Sequence, residues 1–254
     1  MDRRRVQGPE TSVVPLPTQE ALAKRAALPA PVQDGKRADG RGPEDIRPIF
    51  LRTGLISQAS GSAYIELGQT KVACAVYGPR QLKKQQGFSE QGRLYCEFKF
   101  ATFACKKRRH PIRDPQEKEF SQIIVQALAP SIRLDRLPKS VIDLYVTVIE
   151  NDGTASCLAA AITAASVALA DAGVEMLDLV AATSLGYVHQ QLLVDCSAAE
   201  EAYQQHTDLI LAYMPSLGQV THLLHRGPVD WPPMAAVGGA CCVHVYLLLM
   251  MHAQ

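Results

Sequence analysis

Aromatic residues are scarce. Phe, Trp and Tyr make up 6% of the 254 residues, with a single Trp. A binding surface built from rows of stacked bases is therefore not expected. An excess of charge is also missing: Lys plus Arg number 26 and Asp plus Glu 25, a formal charge of +1. That excludes a uniformly basic coat for nucleic acid and leaves room for a local basic patch. The longest strongly apolar run, residues 243–251, is interrupted by His244. It is well short of the ~20 residues a membrane span needs. The N-terminus, Met-Asp-Arg-Arg-Arg, is followed by no apolar segment of the secretory type, so an intracellular chain is expected. The seven cysteines are odd in number and form no CxxC, and the seven His are scattered. Buried free thiols and no zinc site are the expectation. Neither a Rossmann nor a Walker fingerprint occurs, and no internal repeat is evident.

What is present is an ordinary globular composition, 47% hydrophobic and 20% charged. At roughly 150 residues per domain, the length predicts one to two domains. Residues 1–45 are poor in large apolar side chains and rich in Pro, Gly and Arg. They read as an arm, flexible or ordered only against a partner, ahead of a domain over 46–254. From Ile46 the pattern tightens. Residues 48–57, 62–67 and 71–77 read as a meander of strands, with turns at Ser60-Gly61 and Gly68-Gln69. Gly78-Pro79 is expected to end the third strand. A polar loop follows, and 93–104 alternates as a further strand.

A helix start stands out after the basic stretch Lys106-Lys107-Arg108-Arg109. Asp114 suits the N-cap, Pro115 the first turn, and Glu117 completes a capping box. Phe120, Ile123, Ile124, Ala127 and Leu128 share one face, and Pro130 ends or kinks the helix. Residues 141–149 are β-branched and apolar on both faces, which predicts a central strand. Residues 150–173, ENDGTASCLAAAITAASVALADAG, predict a buried helix whose small side chains admit close neighbours. Strands are expected at 179–188, 192–194, 207–214 and 219–224, and a terminal helix at 234–252, where Gly238-Gly239 weakens the pattern. The run 243–251 reads as packed into the core rather than against a partner. The order describes an α+β domain with mixed sheets, not alternating βαβ units.

Several blocks in this order resemble one family. TGLISQASGSAYIELGQTKVACAVYGPR (53–80), GRLYCEFKFATFA (92–104), DGTASCLAAAITAASVALADAGVEMLDLV (152–180) and the THLL strand at 219–224 are similar to the RNase PH-like family. The resemblance spans roughly 46–252. Within the family, SGSAY, TKVACAVYGPRQ, ALADAGVEM and the spacing of Trp231, Cys242 and Tyr246 look like the ring subunits of the eukaryotic RNA exosome. It implies an RNase PH domain, of the ribosomal S5 domain 2-like fold, and assembly into hexameric rings. It also implies partners: other RNase PH-like ring subunits, an S1-domain cap subunit and RNA, with no membrane and no cofactor. The places implied are nucleus, nucleolus and cytoplasm.

Active members of the family cleave RNA from its 3′ end with phosphate as the nucleophile. Phosphate needs Arg forks and helix N-terminal amides, and the scissile bond needs acidic side chains to hold a divalent metal or move a proton. The family's phosphate triplet corresponds here to Gly153-Thr154-Ala155, so the guanidinium is replaced by Ala155. Gly153-Thr154 reads first as a tight turn that starts a helix. Of the family's paired Asp residues, Asp208 matches the second, and Ala202 stands six residues earlier where the first is expected, after Glu200 and Glu201. Glu201 would have to shift by one residue to serve. Even ~1 Å of misplacement is costly in rate. Asp208 then reads as a remnant and Asp195 as a turn residue. No catalytic and no metal-binding residue is expected.

The remaining signal is basic. Arg80, Lys83 and Lys84 follow the third strand, where the resemblance implies a ring pore. Lys106, Lys107, Arg108 and Arg109, with Arg113 close by, form a second cluster. Such clusters attract phosphate backbones without reading sequence. They also serve as plain solvated loops. A non-catalytic exosome ring subunit is the leading expectation. An active phosphorolytic exoribonuclease and a free-standing RNA-binding module are the alternatives.

Overall fold

The computed structural model describes residues 32–33, 36–81, 90–106, 108–109, 112, 114–188, 191–203 and 206–227. Two larger sheets enclose a central helix. The first has the order β3-β4-β5-β7-β6, from β3 (Ile49–Thr53), β4 (Gly61–Leu67), β5 (Thr70–Gln81), β6 (Arg93–Phe100) and β7 (Ser140–Glu150). β3, β4 and β5 form the expected antiparallel meander, and Gly68-Gln69 turns Leu67 back onto Thr70. β6 and β7 are parallel. Helix α1 (Pro115–Leu128) lies in the crossover that a parallel pair requires.

Two expectations for this sheet are corrected. Gly78-Pro79, a cis peptide, does not end β5. Proline has no N–H to give to the ladder, so pairing with β7 skips from Tyr77 to Arg80 and then resumes, Arg80 opposite Val141. β7 is also not apolar on both faces. Ile142, Leu144, Val146 and Val148 are buried, while Tyr145 and Thr147 face outward with Asp143 half-buried beside them. Along β7 the buried residues therefore alternate with exposed or half-buried ones.

The capping signals at α1 are realised and extended. Glu117 accepts the Asp114 N–H at 3.2 Å, and its other oxygen accepts the Phe100 N–H at 3.0 Å. Ser121 accepts the Phe98 N–H at 3.0 Å. The helix thus satisfies outward amides of β6, an edge strand that would otherwise invite pairing. Phe98 meets Phe100 and the helix's own Phe120 edge-on, at 5.0 and 5.3 Å. α1 ends at Leu128, and Ala129–Ser131 continues as one 3₁₀ turn through Pro130.

The second sheet is antiparallel, order β11-β10-β8-β9, from β8 (Ala181–Val188), β9 (Gln191–Val194), β10 (His206–Met214) and β11 (Gln219–Arg226). Helix α2 (Thr154–Asp171) lies between the two sheets, buried over nearly its whole surface. It has the length and apolarity of a membrane span, and 78% of that window is covered by the rest of the chain. Its small residues do what the pattern predicts. Gly61 of β4 comes so close that a Cβ there would lie 2.2 Å from the Ala172 nitrogen. Its few hydroxyls also bind the second sheet: Thr163 accepts the Ala182 N–H at 3.0 Å, and Ser166 accepts that of Val180 at 2.8 Å. The terminal helix expected at 234–252 lies outside the described residues.

Residues 36–45, read from sequence as part of the arm, are held against this domain. β1 (Val32–Gln33) pairs with β2 (Lys36–Arg37), and Arg37 is 3% exposed. Its partners lie far along the chain, where local composition carries no sign of them.

Candidate functional site

The start of α2 is the chemically richest point. Gly153 has φ +120°, and a Cβ there would lie 2.7 Å from the Cys196 carbonyl oxygen. Only glycine fits this turn. The helix has no side-chain N-cap, so its first amides point to the loop that precedes β10. The Glu201 carboxylate takes them both: Thr154 N–H donates to Oε2 at 2.8 Å and Ala155 N–H to Oε1 at 3.0 Å. A helix N-terminus is a ready-made anion site, and here the chain supplies the anion. Burial pushes the Glu201 carboxyl above the usual range. The two amides pull it down, and nearby Asp208 adds to the rise.

Behind these amides lies a small cavity lined by Phe120, Thr154, Ala155, Asp208, Ile210, Leu224 and Arg226. Ala155 places no guanidinium in it. Arg226 does reach it from β11, but it is ion-paired with Glu119 and lies over the Phe120 ring. Asp208 sits 2.9 Å from His206 Nε2, a charge contact rather than an aligned hydrogen bond. Burial works against a charged His206, but Asp208, Glu201 and Glu200 prevail and hold its pKa above the ordinary value. Ala202 is exposed on the loop. No group of His, Cys, Asp and Glu among the described residues is arranged to hold a metal ion.

The loop that carries Glu201 is clamped by three arginines from residues 37–47. Arg37 forks onto Glu200, Nε to Oε1 at 2.7 Å and Nη2 to Oε2 at 2.6 Å, and also donates to the Val194 carbonyl at 2.6 Å. Arg47 forks onto Asp195 at 2.7 and 2.6 Å and reaches Asp152 at 3.1 Å. Arg41 approaches the same Asp195 at 3.4 Å. Asp195 is therefore more than the turn residue expected. It adopts φ 55°, is buried, and anchors the clamp. Arg37 and the amide and hydroxyl of Ser197 outweigh burial and hold the Glu200 carboxyl below its usual range. Sequence reading missed both the clamp and the seat of Glu201. Neither has a local signal.

The basic residues divide. Arg80 is exposed, lies 5.2 Å over the Tyr77 ring and stands 3.7 Å from Asp143. Lys106 and Arg108 are exposed. Arg109 is half-buried, 4.0 Å over the Phe100 ring, and donates to Gln116 at 3.0 Å, so it braces the loop. Lys83, Lys84, Lys107 and Arg113 lie outside the described residues. Of the described members, Arg80 stands apart from Lys106, Arg108 and Arg109. Arg80 stands opposite Val141, whereas the 101–109 loop follows Phe100, opposite Val148. At the rise of a strand these are opposite ends of the sheet, ~23 Å apart. The second cluster is at the end where α2 begins: Asn151 N–H donates to the Ala104 carbonyl at 2.9 Å. Cys74, Cys96, Cys157 and Cys196 are buried free thiols and Cys105 is half-buried; Cys241 and Cys242 lie outside the described residues.

Comparison with known proteins places this geometry. Residues 45–175 match the RNase PH model described as 3′ exoribonuclease family, domain 1. The chain is 37% identical to the human exosome complex component MTR3, covering 98% of this chain and 93% of that protein. It is 36% identical to the exosome complex component Rrp41 of Cenarchaeum symbiosum, covering 84% and 88%. The crystal structure of rice Rrp46 superposes with a TM-score of 0.73 at 25% identity, covering 86% of this chain and 100% of that one. The α+β domain with its central small-residue helix is an RNase PH domain, and the chain belongs to the 3′ exoribonuclease family.

Proposed function

We propose that the chain is a ring subunit of an RNA exosome and carries no phosphorolytic activity of its own. Nearly full-length likeness to a protein named as an exosome component supports the first part. One observation carries the second: Glu201 occupies the Thr154 and Ala155 amides. An incoming phosphate would have to displace an anion that belongs to the chain, and position 155 offers no guanidinium in return. Asp208 keeps its place beside the cavity, but its expected companion is Ala202. In this reading the subunit scaffolds neighbouring RNase PH-like subunits and an S1-domain cap. It helps to thread RNA for rRNA maturation and mRNA turnover, in nucleus, nucleolus and cytoplasm.

The persistence of Asp208 at the cavity favours a second reading, an active phosphate-dependent exoribonuclease. One experiment separates them. The full chain, alone and in the complex isolated through it, is given single-stranded RNA with and without inorganic phosphate. Co-isolation of RNase PH-like and S1-domain proteins is expected, with no trimming by the chain alone. Phosphate-dependent trimming that Asp208→Asn abolishes would establish the second reading instead.

A further inference from the structure

Residues 101–109 form a pinned loop with no acidic member. Ala104 N–H donates to the Ala101 carbonyl at 2.9 Å, Arg109 N–H to that of Thr102 at 3.0 Å, and Asn151 N–H to that of Ala104 at 2.9 Å. Ala104 is buried beneath the loop, and the Arg109 side chain turns inward over Phe100. Between these anchors Phe103 turns the other way. At 72% it is the most exposed aromatic side chain among the described residues. Lys106 and Arg108 are exposed beside it in sequence, and neither forms an ion pair with a described residue.

The core makes no use of this phenylalanine. A bare ring next to uncommitted cations on an anchored loop has the chemistry of single-strand binding. A base can stack on the ring whatever its identity, while cations attract the phosphates on either side. A single ring is compatible with the low aromatic content, since it grips one base rather than a row. We propose that Phe103, Lys106 and Arg108 form a contact site for single-stranded RNA, with Phe103 stacking on a base and the two cations neutralising backbone phosphates. This deepens the ring-subunit reading and rests on it for the presence of RNA.

The test uses the full chain alone and the complex isolated through it, with an unstructured oligoribonucleotide and an abasic oligomer of equal length. Phe103→Ala is expected to weaken binding of the base-bearing strand about fivefold to tenfold, to leave the abasic strand unaffected, and to keep the salt dependence unchanged. Phe103→Trp is expected to restore binding. Lys106→Ala with Arg108→Ala should weaken both strands alike and make the salt slope shallower by about 0.7 for each phosphate that is no longer neutralised. Unchanged affinity of Phe103→Ala for the base-bearing strand would overturn the proposal. So would loss of co-isolated subunits at unchanged RNA affinity, which would make Phe103 a protein contact. A chain that isolates without partners yet shows these RNA dependences would refute the ring reading and keep the site.

Discussion

Two short arginine-bearing stretches of this chain end in opposite environments. Residues 37–47 carry three Arg balanced by Asp39, Glu44 and Asp45, whereas residues 106–109 are four cations with no acid among them. In the first, Arg37 and Arg47 are buried and forked onto Glu200 and Asp195. In the second, Lys106 and Arg108 face water and only Arg109 turns inward. The difference is the availability of carboxylates. The turn after β9 and the loop that follows it bring Asp195 and Glu200 against the first stretch, and a buried guanidinium is tolerable only with such partners. The carboxylates that hold Arg37 and Arg47 lie 163 and 148 positions away, and not among the acids of their own stretch.

The comparison can be broken most forcefully at Arg37. Arg37→Ala leaves Glu200 buried without its partner and is expected to cost about 3–5 kcal/mol in chemical denaturation. Arg37→Met combined with Glu200→Leu should recover most of that loss, because no orphaned charge remains. If the single and double variants lose equally, the pair is not what holds the segment. Acidification gives a smaller effect. The Glu200 pKa is lowered on folding, so its contribution is fully present above the ordinary 4.5 and is lost as pH falls through the lowered value. Thermal melts of wild type should drop more steeply in that acid range than those of the double variant. The smallest effect belongs to the outward stretch. Lys106→Ala and Arg108→Ala should change stability by no more than about 0.5 kcal/mol. A larger loss would mean these cations have partners within the fold.

Legibility followed range. The start of α1 was readable because Asp114, Pro115 and Glu117 act within one turn. The meander and α2 were readable from alternation and from the run of small residues. What Glu117 and Ser121 also do, satisfying the Phe98 and Phe100 amides of β6, could not be read. The outward face of β7 misled because its Tyr145 and Thr147 are also ordinary strand residues. At the site, the replacement of the expected guanidinium by Ala155 and of a carboxylate by Ala202 was visible in the residues themselves. The occupation of the helix amides by Glu201 was not, since it spans 47 positions for Thr154.

By itself, then, the sequence determined the element order from β3 to β11, the family and the residues missing from its chemistry, because periodicity, capping and side-chain identity are local. The tertiary structure decided three further matters: that Glu201 serves as the anion of α2, that residues 37–47 clamp the loop carrying it, and that Arg80 stands apart from Lys106, Arg108 and Arg109. Each depends on which groups meet across the fold, as Arg37 and Glu200 do over 163 positions, and burial makes such meetings strong without writing them into any one segment.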